Sequence, residues 1–127
     1  MKLSFARIMV VEDDVVMRTF VVNLLRRMGI QSIETCADGA SALAQLEIFK
    51  PDLVLTDIHM DPMDGLEFVR QLRVFPNVAL RKTRVIFMSA DASSGTLAEA
   101  LPLGTLGYIL KPPRPETLQA KLELALR

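Results

Sequence analysis

Asp57 closes an apolar run, Leu53-Val54-Leu55-Thr56, and a second run from Ile8 to Val11 closes on Glu12-Asp13-Asp14. Carboxylates crowded at strand ends repel one another and raise each other's pKa, so a cluster of this kind points to a divalent cation among them. Two more runs stop on other groups: Arg84 to Met88 on Ser89, and Tyr108 to Leu110 on Lys111. Taken singly, a charged residue after an apolar run is a solvated strand end. The joint pattern carries the signal: acids after the first and third strands, a hydroxyl after the fourth and Lys-Pro after the fifth.

The elements that must position these groups follow from periodicity. Ile8–Val11, Leu53–Thr56, Val85–Met88 and Tyr108–Leu110 are strand-length, rich in Val and Ile, and show little alternation, as strands covered on both faces do; Ser32–Thr35 is a weaker fifth. Met17, Phe20, Val21, Leu24, Leu25 and Met28 recur at helical steps before Gly29, which stands where a left-handed C-terminal cap is expected. Further helical patterns run through Ala40, Leu43, Ala44 and Leu46; Leu66, Val69 and Leu72; Leu97 to Leu101; and Leu118, Leu122 and Ala125. Pro51, and Pro102 with Gly104, stop the second and fourth of these five patterns. Asp61 to Gly65 reads as a turn opening a helix, and Phe75 to Thr83 as a loop. Such alternation predicts right-handed crossovers and a parallel sheet with helices on both faces, whose ligand crevice lies outside the carboxyl ends of the strands.

The 127 residues, half of them hydrophobic, suffice for one packed domain spanning 1–127. Fifteen basic and fifteen acidic residues cancel, so no global field draws nucleic acid or an anionic membrane. The lone Cys36 excludes an internal disulfide and suits a reducing compartment, and no run is long enough to span a membrane. These features predict a cytoplasmic chain. Cys36 is expected to be a small buried or half-buried side chain, and the seven Met are expected to fill the core.

Val-Val-Glu-Asp-Asp, Pro-Asp-Leu-Val-Leu-Thr-Asp, Met-Asp-Gly, Met-Ser-Ala and Gly-Tyr-x-x-Lys-Pro together make the chain resemble the receiver domain of two-component response regulators, from Ile8 to about Leu126. The resemblance implies a flavodoxin-like, doubly wound sheet of order 2-1-3-4-5 with five helices, and Asp57 as phosphoryl acceptor. It also implies Mg²⁺ held by Glu12, Asp13, Asp57 and the backbone carbonyl of His59. Lys111 and Ser89 would hold phosphoryl oxygens, and Ser89 and Tyr108 would form a switch reshaping the face of the fourth helix, fifth strand and fifth helix. A cis Lys111-Pro112 bond is implied as well. The implied partners are a sensor histidine kinase or histidine phosphotransfer protein, a downstream effector or attached output domain, and a second copy through that same face. The chemistry agrees: a carboxylate is a competent nucleophile toward phosphorus, and phosphoryl transfer asks mainly for positioning and charge neutralisation.

Some positions depart from the family pattern. Asp61 stands where Pro is common, with Pro62 one later, and Pro113 replaces a frequent aromatic. Asp61 reads more readily as a solvated turn carboxylate than as a group that tunes metal affinity or partner approach, and Asp14 as a helix cap than as a member of the metal cluster. His59, the only histidine, reads more readily as an exposed shielding side chain than as a group acting on an attacking water. A rival reading is a phosphohydrolase using Asp57 as nucleophile. Enzymes of the haloacid dehalogenase type carry Asp-x-Asp there, whereas this chain has Asp57-Ile58-His59 and lacks that general acid. A receiver used only for docking is disfavoured because every expected active-site residue type is present. The expectation is thus a signalling domain that catalyses only its own phosphorylation and dephosphorylation.

Overall fold

The computed structural model describes residues 1–90 and 98–127. Five parallel strands, β1 (Arg7–Val11), β2 (Ser32–Cys36), β3 (Leu53–Asp57), β4 (Arg84–Ser89) and β5 (Tyr108–Leu110), form one sheet in the order β2-β1-β3-β4-β5. The crossovers carry helices α1 (Val15–Arg27), α2 (Gly39–Phe49) and α3 (Gly65–Arg73), and a C-terminal helix (Pro115–Ala125) ends the fold. Residues 98–100 are helical where the fourth helical pattern falls; Leu97 lies outside the described residues.

The lack of alternation in the strands has a direct cause. Every residue of β3 is buried, because successive side chains enter two separate cores. Met9, Val11, Val54, Val85 and Phe87 meet Leu46, Phe68, Val69 and Leu72 of α2 and α3. Ile8, Val10, Leu53, Leu55, Ile86 and Met88 meet Val21, Leu24 and Leu25 of α1 and Leu118 and Leu122 of the C-terminal helix. Among the described residues no helix is long and apolar enough to cross a membrane.

α1, α2 and α3 each start on a side chain that satisfies a first-turn amide. Asp14 accepts from Val16 and Met17, Asp38 from Ser41, and Asp64 from Glu67, while Pro115 opens the C-terminal helix. Gly29 follows α1 with φ +91, in the region where a side chain is strained.

Several expectations need correction. Phe20 has helical spacing but is 42% exposed, because α1 buries only the narrower stripe of Val21, Leu24 and Leu25. Met1 lies at the surface, whereas Met9, Met60 and Met88 are buried. The Phe75 to Thr83 loop contains a 3₁₀ helix, Val78–Lys82, capped by Asn77, and another 3₁₀ turn, Leu3–Phe5, precedes β1. β5 is an edge strand, with Leu110 half exposed.

Candidate functional site

The carboxyl ends of β1, β3, β4 and β5 meet at one edge. Glu12 follows β1 directly, and its N–H donates to the Cys36 carbonyl at 3.0 Å, extending the β1–β2 ladder by one residue. That keeps its side chain fully buried, while Asp13 is exposed. Arg18, one turn into α1, donates to the Glu12 carbonyl at 2.9 Å and holds the turn from the other side. Asp57 ends β3 and is 3% exposed. Its carbonyl accepts from the Thr56 hydroxyl at 2.9 Å.

Gly65 explains how the chain returns so close to Asp57. Its N–H donates to the Ile58 carbonyl at 2.7 Å, and a Cβ at this position would overlap the Asp57 carbonyl. Only a residue without a side chain can open α3 here.

The N–H of Lys111 donates to the Ser89 carbonyl at 2.8 Å, which zips the ends of β4 and β5 and places the buried Ser89 beside the Lys111 backbone. The Lys111-Pro112 bond is cis, as is Asp61-Pro62. Lys111 Nζ lies 2.8 Å from Glu12 Oε1 and 3.1 Å from Asp57 Oδ2. The other oxygen of Glu12 accepts from the Asp14 N–H at 3.1 Å.

Glu12, Asp13 and Asp57 bring one carboxylate oxygen each within 4.8 Å of one another. Three carboxylates thus face one ammonium. Burial pushes the Glu12 carboxyl above its usual range, opposed by the Lys111 hydrogen bond and aided by the charge of Asp57. Burial works against the Lys111 ammonium, but hydrogen bonds to Glu12 and Asp57 outweigh it and raise its pKa. A set of hard oxygen donors with surplus negative charge fits a hard divalent cation of the Mg²⁺ kind.

The remaining positions stand at different distances from this cluster. His59 and Asp61 are exposed and make no described hydrogen bond. Asp14 is occupied as the α1 cap. Tyr108, half-buried, stands opposite Phe87 in the β4–β5 register and packs on the core of α2 and α3. A cavity of about 430 Å³ opens beside it, between β5 and the C-terminal helix. Arg18 and the close approach at Gly65 escaped sequence reasoning. Arg18 sits among ordinary helix-surface charges, and its role shows only when α1 is packed; the Met-Asp-Gly triplet was a signal for Gly65, without its physical cause.

The comparisons with known proteins agree with this geometry. Residues 8–123 match the response regulator receiver domain. The chain is 34% identical to chemotaxis protein CheY-3 of Vibrio cholerae over 117 residues, 92% of this chain and 88% of that protein. It is 32% identical to chemotaxis protein CheY of Pseudomonas aeruginosa, covering 92% and 93%. Among solved structures, CheY4 of Vibrio cholerae superposes with a TM-score of 0.87 at 30% identity, covering 95% of this chain and 98% of that one. The flavodoxin-like sheet, the clustered strand ends and these similarities establish that the chain belongs to the response regulator receiver domains, signalling domains of phosphorelay systems.

Proposed function

We propose that residues 1–127 form one receiver domain, acting in the cytoplasm, in which Asp57 accepts a phosphoryl group from a sensor histidine kinase or histidine phosphotransfer protein. The observation that carries this reading is the buried Asp57 carboxylate, 3.1 Å from the Lys111 ammonium and clustered with Glu12 and Asp13. An oxygen of Asp57 attacks phosphorus, the new O–P bond replacing the N–P bond of the phosphohistidine, and the imidazole leaves with the bonding pair and takes up a proton. Hydrolysis later returns Asp57 and inorganic phosphate.

Glu12, Asp13 and Asp57, with the backbone carbonyl of His59, would hold Mg²⁺. When bound, the ion neutralises charge on the phosphoryl oxygens. Lys111 supplies a compact positive charge to a phosphoryl oxygen, exchanging part of its present pairing with Asp57 for the new group. Ser89, buried at the end of β4, donates to another oxygen. Both contacts strengthen only after transfer, so they bias a two-state surface rather than merely binding a ligand. Tyr108 connects that bias to the face of the fifth strand and its flanking helices, where a downstream effector, an attached output domain or a second copy docks.

Acetyl phosphate in the presence of Mg²⁺ tests the assignment. Mass spectrometry of the wild type is expected to find one phosphoryl group, on Asp57, lost when Mg²⁺ is chelated and absent in Asp57→Asn. Stoichiometric labelling at another residue would overturn it.

A further inference from the structure

On the far side of the molecule, where α3 ends, a cavity of about 460 Å³ is lined by Arg73, Arg81, Lys82, Pro102, Leu103 and Gly104. The three cations have no carboxylate partner among the described residues, where every ion pair involves Arg70 or Lys111. Arg73 forms the wall. Its Nε donates to the Leu103 carbonyl at 2.8 Å, and Nη1 donates to those of Arg81 and Thr83 at 2.9 and 2.7 Å. These carbonyls solvate the guanidinium without neutralising it, and burial pushes its pKa down, the mark of a charge held without a counter-ion. Arg81 spends only its Nε, on the Phe75 carbonyl, leaving its outer nitrogens available, and the exposed Lys82 makes no described bond.

We propose that this cavity is a docking site for an acidic peptide segment of a partner protein, with carboxylates on Arg81 and Lys82 and an apolar side chain against Pro102 and Leu103. Charge complementarity selects an anion. The volume, many times that of a water molecule, and the apolar side of the cavity select a peptide over a single inorganic oxyanion. The site is separate from the acidic cluster and does not depend on phosphorylation of Asp57. Its occupant would lean on residues 102–104, the segment that Arg73 ties to the start of β4 and that leads toward β5.

The test is an NMR titration of the full chain with a capped Glu-Glu-Leu-Glu-Glu peptide. Arms with inorganic phosphate, with vesicles containing phosphatidylglycerol, and with the Lys-for-Glu counterpart peptide run alongside. Amide shifts are expected at Arg81 to Arg84 and Leu103 to Thr105, weakening with added salt. Lys82→Glu is the variant of choice because its side chain makes no described bond. It is expected to weaken the peptide at least fivefold while leaving acetyl phosphate labelling of Asp57 unchanged. Equal peptide affinity in Lys82→Glu, shifts that map elsewhere, or phosphate or vesicles binding there as tightly as the peptide would each overturn the proposal. Failure of Asp57 labelling in the wild type would bear on the receiver reading and not on this site.

Discussion

The two ends of β1 both carry charge and use it in opposite ways. At the amino end, Arg7 and Asp52 exchange two bonds of 2.8 Å, the Arg7 N–H donating to Asp52 Oδ2 and the Asp52 N–H to the Arg7 carbonyl. The guanidinium donates twice to the Phe49 carbonyl, at 2.8 and 2.6 Å, and lies 4.3 Å from the centre of the Phe49 ring. One cation and one anion stand there, each hydrogen-bonded to backbone groups and not ion-paired with the other. Five residues further on, at the carboxyl end, three carboxylates cluster around one ammonium, Lys111, which pairs with only Glu12 and Asp57. A charge that its neighbours satisfy holds the fold together, whereas surplus charge is a standing cost that a ligand can relieve.

The sharpest way to break this contrast is steric. Gly65→Ala places a methyl group on the Asp57 backbone, so the carboxyl edge has to shift; a loss of about 3 kcal/mol in urea unfolding is expected. A loss below about 1 kcal/mol would mean that the edge is looser than its geometry implies. At the opposite end, Arg7→Ala removes the two bonds to Phe49 and the ring contact while the backbone bonds to Asp52 remain. Stability is expected to fall by about 2 kcal/mol, with Mg²⁺ affinity unchanged. Asp57→Asn is expected to do the reverse. It relieves repulsion with Glu12 and Asp13 and should raise the stability of the metal-free protein by about 1 kcal/mol, while abolishing any further gain from Mg²⁺. Unfolding curves in chelator and in Mg²⁺ check both halves of that statement.

Much of the arrangement was legible because burial on both faces writes strands as unbroken apolar runs, and the residue that ends each run faces the crevice. β3, β4 and the reach of Glu12, Asp57 and Lys111 into one place follow from that alone. Tertiary choices were not legible. Nothing in the spacing of Phe20 says that α1 buries a stripe too narrow to include it. The Arg73 clasp joins residues up to 31 positions apart through backbone carbonyls, which carry no side-chain signature. The 3₁₀ helix at Val78–Lys82 is too short to show a period.

Negative charge is in surplus at the carboxyl edge and nowhere comparable at the amino edge among the described residues. An NMR titration with Mg²⁺ alone, on the unphosphorylated protein, tests it most directly. Glu12 sets the pH dependence: its folded pKa lies above the ordinary 4.5, so its contribution to stability is complete below pH 4.5 and is lost as pH rises through the raised value. A cation that replaces the proton therefore binds more tightly as pH climbs through that window. Shifts in the millimolar range are expected at Glu12, Asp13, Asp57 and Lys111, stronger at pH 7 than at pH 5, with Arg7 and Asp52 silent. Absence of shifts at the carboxyl edge, or equal shifts at both ends of β1, would contradict it.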